Sequence, residues 1–278
     1  MKLRYLISGS LFAVSCLLWA VEAETVAAEN GKPGPWAFEF ELYGLMANIY
    51  GDSTMGVQPG SLPAVDVSGD VDIPFSKILE TIQMGAMAHF EVHHQSGWGI
   101  WLDYAFMNLK DDSDIGYLNK SFAEVGLKQG VLEAFVLYRQ PLGEEYGYID
   151  YFGGIRWWDN NFDLKLSSDL PFPGGAASKS WSRSEYWVDP VIGVRWTLPI
   201  SESWSFRLRG DMGGFDIGSR FTTASGVGFL YGITDWLELD LRFKALWVDY
   251  ETGHTGEKSH FIYKAVTYGP IVGLNLKF

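Results

Sequence analysis

Apolar and polar residues alternate with a period of two over most of the chain. Over 266–278 the even positions are apolar or aromatic, whereas the odd positions carry Thr, Gly, Ile, Gly, Asn and Lys. Over 237–247 the odd positions are apolar and the even ones include Glu238, Asp240 and Arg242. The segments 188–198 and 204–212 follow the same pattern. Successive side chains of a strand point to opposite faces, so each segment predicts a strand with one apolar and one polar face.

Two folds bury such strands, and three features favour a membrane barrel over a soluble sandwich. Several segments exceed the ~9–11 residues that cross a bilayer and the ~5–6 of ordinary strands. The predicted connections alternate strictly between short and long, which is typical of outer-membrane barrels. Aromatic residues gather near strand ends, as an interfacial girdle requires. The tryptophans in question are Trp36, Trp98, Trp181, Trp187, Trp204, Trp236 and Trp247.

The predicted fold is all-β, a closed antiparallel transmembrane β-barrel of about ten strands, with eight or twelve as alternatives. The strands are placed near 36–50, 83–94, 98–110, 122–140, 146–159, 185–199, 203–214, 222–231, 236–250 and 262–278. The short links are 95–97, 141–143, 200–202 and 232–235, and the long ones are 51–82, 111–121, 160–184, 215–221 and 251–261. With an even number of strands, both ends of the polypeptide fall on the periplasmic side, where the short links lie.

The first long connection contains helical spacing. Phe75, Ile78, Leu79 and Ile82 recur at intervals of three and four residues. This predicts a short amphipathic helix in the first outward loop. Two interpretations stay open: a helix tucked against the rim or mouth of the barrel, or a plug that gates a pore.

The N-terminus has the parts of a secretory signal. Two positive charges precede an apolar run from Tyr5 to Trp19, and small residues occupy the −3 and −1 positions of a cut after Ala23. We expect a signal peptide over 1–23, a periplasmic N-terminal segment over 24–35 and a barrel over 36–278. A cut near Ala28, or a lipobox ending at Cys16, is the alternative. Beyond residue 30 no apolar run reaches the ~18 residues of a spanning helix.

The polar faces carry a large set of charges, which the barrel prediction places inside the lumen. An ion-paired interior is one interpretation, because single buried charges cost several kcal/mol, and a selective conduit for small solutes is the other. The predicted lumen network is Glu39, Glu41, Glu91, Asp103, Glu133, Arg139, Asp150, Arg156, Asp189, Arg195, Arg207, Arg209, Asp211, Glu238, Asp240, Arg242 and Lys244. A barrel of about ten strands is close to the size that its own side chains fill.

Candidate catalytic residues are few. The sequence has no nucleotide loop, no nucleophile elbow and no metal-ligand spacing of quality, so no cofactor or metal is expected. Asp70 and Asp72 could meet His254 or His260 across the rim, in the manner of outer-membrane proteases. Ser259 next to His260 is the other hydrolase candidate, of the lipid A deacylase type. His93 and His94 are expected at a solvated turn, with a metal site as the alternative.

Two segments carry a family resemblance. The stretches Trp187–Val188–Asp189–Pro190–Val191–Ile192–Gly193–Val194–Arg195 and 208–219 (LRGDMGGFDIGS) resemble uncharacterised proteobacterial outer-membrane barrels, and the resemblance extends more weakly over 36–278. It implies a barrel in the Gram-negative outer membrane and no established substrate. Gly273, Leu276 and Phe278 also resemble the terminal signal read by the barrel assembly machinery.

We therefore expect a non-enzymatic integral outer-membrane protein with a structural or surface-interaction role. A narrow channel for small solutes and a barrel-embedded hydrolase are the alternatives. The expected partners are outer-membrane lipid and lipopolysaccharide, the assembly machinery and a small solute if the lumen conducts. The net charge of −13 argues against nucleic acid.

Overall fold

The computed structural model describes residues 34–58, 63–114, 121–168 and 178–278, which form twelve strands and one short helix. The elements are β1 (Trp36–Leu45), β2 (Asn48–Val57), β3 (Val65–Ile73), α1 (Phe75–Thr81), β4 (Ile82–His94), β5 (Trp98–Asp114), β6 (Ser121–Gly143), β7 (Gly147–Ser168), β8 (Ser178–Pro199), β9 (Trp204–Gly214), β10 (Phe221–Gly232), β11 (Leu237–Thr252) and β12 (Phe261–Lys277). The predicted signal peptide lies outside the described residues.

Antiparallel pairing closes the sheet into a barrel. Strands β4 to β12 pair in chain order, and β1 closes the ring by pairing with both β4 and β12. In the closing pair, Glu39 lies opposite Lys277 and Leu45 lies opposite Ile271. The twelve strands occupy ten positions in the ring. Strands β1 and β2 share one position, since both pair with β12, and β3 and β4 share the next, since β3 pairs with β2 and β4 with β1. The predicted ten-stranded closed antiparallel barrel is confirmed.

The first position in the ring is one strand line with a break at residues 46–47. Both β1 and β2 pair with β12, and the register is continuous across the break. Pro270 lies opposite the break. Proline has no N–H to donate, although its carbonyl accepts a hydrogen bond from the Met46 N–H at 2.9 Å. The line therefore runs over 36–57, and the predicted end at residue 50 was wrong.

The second position in the ring is interrupted by the predicted helix. The last residue of β3, Ile73, pairs with Ile49, and β4 starts at Ile82, opposite Leu109 of β5. The intervening helix α1 joins the two strands across the wall. Its Ile78 is buried in the barrel interior, while Leu79 is 60% exposed. The helix is thus part of the wall and does not fill the lumen. Most of the predicted loop 51–82 is strand, which corrects that boundary.

The outward side chains form an apolar belt. On β11 and β12, the exposed residues include Leu241, Phe243, Val272 and Leu274. The alternate residues of the same strands are buried, as Asp240 is. A belt of this kind is what a transmembrane barrel presents to lipid.

Aromatic side chains border the belt at the end with the short turns. Trp36, Trp98, Trp204 and Trp236 are all exposed there, at 39–56% of their surface. Trp247, also exposed, lies towards the other edge. The girdle prediction was wrong for Trp187, which is 5% exposed and lies inside the barrel. Its position in β8 has the same parity as the inward-facing Asp189 and Arg195, and Trp181 shares that parity.

Three neighbouring strands, β6 to β8, continue well beyond the belt. On β7, the outward apolar positions end at Trp157 and are followed by Asp159, Asn161 and Asp163. The strand continues to Ser168, roughly 35 Å along its path from Trp157 at ~3.3 Å per residue. Residues 111–114, 121, 160–168 and 178–184 of the predicted loops 111–121 and 160–184 are therefore strand, which corrects those boundaries. Within the described ranges, no helix is long and apolar enough to cross a membrane.

Candidate functional site in the barrel lumen

The residues predicted for the lumen lie on the inward side of their strands. All are buried except Glu39, Arg139, Arg242 and Lys244, which are partly exposed. Since an unpaired charge is costly in a dry interior, the partners of each charge determine what the lumen can do.

The first ion cluster lies towards the short-turn end. Arg195 donates to both carboxylate oxygens of Glu91, each at 2.7 Å, and to Asp150 at 2.5 Å. Arg139 donates to Asp150 at 2.7 Å and to Glu91 at 3.3 Å. His93 contacts Glu91 as well. His89 also lies 3.3 Å from Glu91, so two carboxylates are shared by two guanidinium groups and two imidazoles.

The second cluster is a four-membered ring of alternating charge near the middle of the barrel. Arg156 lies 2.6 Å from Glu133 and 3.0 Å from Asp211. Arg209 lies 2.9 Å from Glu133 and 2.7 Å from Asp211. The remaining Arg156 nitrogen donates to the Thr222 hydroxyl at 3.1 Å. Every member has two partners of opposite charge, so the ring neutralises itself.

The third cluster joins β11 to β1. Arg242 lies 2.5 Å from Asp240 and 3.1 Å from Glu41. On the same side of the lumen, the Tyr43 hydroxyl donates to Asp103 at 2.9 Å. Each of these two contacts between strands reaches across one intervening strand, β12 between β11 and β1, and β4 between β1 and β5.

Asp189 accepts only neutral donors. Its carboxylate accepts hydrogen bonds from the Trp158 indole at 2.9 Å, the Trp187 indole at 3.2 Å and the Ser219 backbone N–H at 2.6 Å. Ser219 belongs to the loop that joins β9 and β10. Asp189 therefore holds this loop against the inner wall.

An aromatic layer fills the space between the first two ion clusters. Trp101 is 2% exposed, and the guanidinium carbons of Arg195 and Arg209 lie 4.6 Å and 4.4 Å from its ring centroid. Phe135 and Phe152 pack against the same indole, with centroids at 5.7 Å and 5.2 Å. The rings occupy the centre of the barrel and attract the neighbouring cations.

A second apolar layer fills the half of the lumen towards the long loops. Its buried members include Ile49, Ile78, Met107, Leu109, Leu127, Val131, Trp158, Phe162, Trp187, Leu246, Val248, Tyr250, Phe261 and Tyr263. Trp187 and Tyr250 stack face to face, with centroids 3.8 Å apart. Because this contact joins β8 to β11 above the short β9–β10 hairpin, it closes the interior at that level.

Two small spaces lie inside the described lumen. A cavity of about 20 Å³ lies beside Trp101, Arg207 and Lys244, and one of about 30 Å³ lies beside Tyr43 and Met107. A single water needs ~10–15 Å³ of such space, so each holds about one or two waters. Neither is wide enough for an organic solute to pass.

Two larger cavities open at the surface of the barrel. One of about 550 Å³ lies in the short-turn mouth and is lined by Arg139, Tyr148, Thr197, Arg207 and Lys277 among others. We call it the vestibule. Another, of about 560 Å³, lies beside α1, where β3 and β5 are not paired with each other; it is lined by residues including Asp70, Asp72, Lys77, Leu109 and Leu127.

The predicted protease constellation does not assemble. Asp70 and Asp72 lie in β3 opposite Asp52 and Tyr50, whereas His260 is buried against Asp66, at 3.0 Å. The acid that meets His260 is therefore Asp66, which sequence reasoning did not single out.

The loop histidines do not form the predicted hydrolase pair. The Ser259 hydroxyl donates to Glu257 at 2.9 Å instead of facing His260, and this hydrogen bond lowers the pKa of the Glu257 carboxyl. His254 lies 3.6 Å from the same carboxylate and is almost fully exposed. Serine, histidine and acid thus form no relay here.

The expected solvated turn is correct for only one of the two adjacent histidines. His94 contacts Ser96 at the turn, but His93 is buried in the first ion cluster. Across the parts of the chain that the structure describes, no group of His, Cys, Asp or Glu side chains is arranged to hold a metal.

Several lumen residues were missed by sequence reasoning although their position in the strand would have revealed them. His89 and His93 share the odd parity of Glu91 on β4, and Trp101 shares the parity of Asp103 on β5. The search for charges passed over them because histidine and tryptophan also belong on loops and at interfaces.

No family model matches the chain, and no curated protein does. Among solved structures, the barrel is similar to the outer membrane protease OmpT from Escherichia coli, with 9% identity, 87% of this chain and 97% of that chain covered, and a TM-score of 0.49. The translocator domain of the autotransporter NalP from Neisseria meningitidis has 11% identity, 97% and 98% coverage and a TM-score of 0.45. Ail, the attachment invasion locus protein of Yersinia pestis, has 11% identity, with 87% of this chain and 98% of that chain covered and a TM-score of 0.35. Likenesses this distant identify no activity for this chain.

Proposed function

We propose that this protein is an integral outer-membrane β-barrel with a closed lumen, and that its role is structural or lies in surface interaction. One observation carries the proposal. Ion clusters, the Trp101 layer and the outer apolar layer fill the described lumen and leave internal cavities of about 20 and 30 Å³. A protein that lets solutes through would need a continuous wet path, which these layers interrupt.

The outward surface supports the membrane assignment. An apolar belt between aromatic borders suits hydrocarbon between two interfaces. The short turns then face the periplasm and the tall strands face outwards. The proposal also includes export by the predicted signal peptide and contact with lipopolysaccharide. It includes assembly through the terminal signal Gly273, Leu276 and Phe278, and the family resemblance.

The tall strands support a surface role. The outer faces of β7 and β8 carry polar residues above the belt, such as Asp159, Asp163, Ser182 and Ser184. This part of the sheet needs no lipid and stands in water, where it is available to another molecule. The opposite β9–β10 hairpin ends much lower, so the surface presented outwards is one-sided.

Planar-bilayer recording tests the closed lumen. The purified mature protein should insert without stepwise conductance under conditions in which an open porin conducts. Reproducible steps would contradict the proposal and favour the narrow channel. Lipid A mass spectra that change on deletion of the gene would instead favour the barrel-embedded hydrolase.

Loop replacement tests the surface role. Residues 169–177 connect the tall strands β7 and β8 in the sequence, so replacing them with a short turn shortens that connection without changing the belt. We expect loss of binding to surfaces that the parent strain colonises. A matched replacement of 254–258, in the β11–β12 loop, should have a smaller effect. If neither replacement changes binding, the role is structural.

A further inference from the structure

We propose that the vestibule is a binding site for a small soluble anion bearing carboxylate or phosphate oxygens, with Arg207 as its principal ligand. The vestibule has a volume of about 550 Å³, within the ~300–1,000 Å³ typical of small-molecule pockets. It opens at the short-turn mouth, so its occupant enters from the aqueous phase on that side.

Arg207 differs from the other arginines of the lumen. It is 4% exposed, and among the described residues its side chain forms one hydrogen bond, from Nε to the Thr197 hydroxyl at 3.3 Å. Within the described residues it forms no ion pair, whereas Arg195 and Arg209 each contact two carboxylates. Its guanidinium group lines both the vestibule and the small cavity beside Trp101. The donors that have no protein acceptor therefore face open space, where a ligand can supply acceptors.

Of the acids around the mouth, Glu39 attracts the Arg207 guanidinium electrostatically without forming an ion pair with it. Glu238 lies 2.8 Å from Lys277 and accepts a hydrogen bond from Asn275, which also donates to Glu39. Glu144 lines the vestibule but is exposed at a turn. These carboxylates keep the site from being strongly basic, and they favour a small anion over a polyanion.

Two other cations border the same space. Arg139 and Lys277 line the vestibule. Each has a carboxylate partner, but each side chain has more donors than that contact uses, so donors are left for a ligand. Tyr148 lies beneath the Arg139 guanidinium, 3.8 Å from its carbon, and fixes its orientation. A planar fork at Arg207 suits the two oxygens of a carboxylate or phosphate.

The test uses the full mature protein in micelles of a detergent that contains no phosphate group. Its thermal stability is compared in two buffers of equal ionic strength, one with chloride and one with inorganic phosphate. The unfolding midpoint is read from the heat-dependent change in gel mobility. Wild-type protein should gain stability in phosphate, because a ligand that binds only the folded state stabilises it. Arg207→Met should lose this gain, with a phosphate dissociation constant raised about tenfold or more.

The same variant distinguishes a ligand site from a structural role. If Arg207 lacks a partner without ligand, Arg207→Met should unfold at the same or a higher temperature in chloride, since a costly buried charge is gone. A lower midpoint in chloride would assign Arg207 to stability and overturn the proposal. The control Arg220→Met, at the opposite end, should keep the phosphate gain.

A lipid phosphate is the other source of the same chemistry. Short-chain phosphatidylglycerol, added in place of inorganic phosphate, should give no shift that depends on Arg207. A shift with the lipid alone would overturn the soluble-anion proposal. The result is independent of the proposed closed lumen, because binding in micelles does not require or exclude conductance.

Discussion

The two terminal nitrogens of Arg195 bind the two oxygens of Glu91, each at 2.7 Å, across 104 positions of sequence. The pair joins β8 to β4 through the interior of the barrel, and both side chains are almost fully buried. Such a pair fixes the relative height of distant strands, because two parallel hydrogen bonds tolerate little sliding.

Removing both partners of this pair should cost less than the sum of removing each alone. Arg195→Met leaves Glu91 and Asp150 with fewer donors, so we expect a loss of about 3–5 kcal/mol in the free energy of unfolding. Glu91→Leu combined with Arg195→Met removes the uncompensated charge and should lose less than the sum of the single changes. Urea unfolding in micelles measures all four corners of the cycle. Strict additivity would show that the pair contributes no coupling.

Adding a charge on the lipid face should impair assembly more than removing a charge from the adjacent lumen-facing position. Leu241 is outward and 38% exposed near the middle of the belt, while Asp240 is buried beside Arg242. Leu241→Arg places a charge on the lipid face at a cost of ~2–4 kcal/mol near the midplane, and should block assembly. Asp240→Asn keeps the shape and an acceptor oxygen, so it should be milder. The amount of heat-modifiable protein in outer-membrane fractions measures the assembly of each variant. Equal assembly of the two would refute the assignment of Leu241 to the lipid side and Asp240 to the lumen side.

The alternation that identifies Leu241 and Asp240 is strong because one face meets lipid and the other a packed lumen. This contrast allowed the barrel, its strand count and the inward set of charges to be predicted. Above the belt the outer face meets water, as at Asp159 and Asp163 on β7, and both faces of the strand become polar or mixed. The alternation continues there with the faces exchanged, since Phe162 points inwards and Asp163 outwards, so it did not match the apolar-outward pattern and the tall strands were read as loops.

Pairing within the lumen was beyond the sequence for a different reason. Arg195, Arg207 and Arg209 all have the inward parity of neighbouring strands, and nothing local distinguishes them. Their partners come from strands up to a hundred residues away, at heights set by the stagger of the closed barrel. Only the assembled ring shows that, among the described residues, Arg195 forms ion pairs with two carboxylates, whereas Arg207 forms none and interacts with Glu39 only at longer range.

The break in the first strand line makes Gly269 intolerant of a side chain. A Cβ at Gly269 would lie 2.1 Å from the Met46 carbonyl oxygen, an impossible distance. Gly269→Ala should therefore force the two strands apart and lower the free energy of unfolding by about 1–3 kcal/mol. Gly44 in β1 is the matched control, since a Cβ there has nothing within 4 Å. Urea midpoints compare the two variants, and an equal effect would mean that the close approach at Met46 relaxes freely.

The Asp189 carboxylate should control access to the β9–β10 loop. It accepts hydrogen bonds from the Ser219 N–H and two indoles, and the loop also holds Phe215 and Asp216 at φ values of 52° and 59°. Non-glycine residues at positive φ need such external support. Without it the loop should open, since each buried donor left without an acceptor costs about 1–3 kcal/mol.

Trypsin cleavage reports on this loop, because Arg220 lies in it, with its side chain in an exposed ion pair with Glu251 at 2.8 Å and its backbone N–H donating to the Asp249 carbonyl at 2.8 Å. In Asp189→Ala, cleavage after Arg220 should be several-fold faster than in the wild-type barrel, as quantified by mass spectrometry of the fragments. Asp163→Ala, on the exposed face of β7, removes a carboxylate that holds no loop and should leave the rate unchanged. Equal cleavage in all three proteins would mean that the β9–β10 loop keeps its conformation without Asp189, and that the strain at Phe215 and Asp216 is relieved by the hairpin itself.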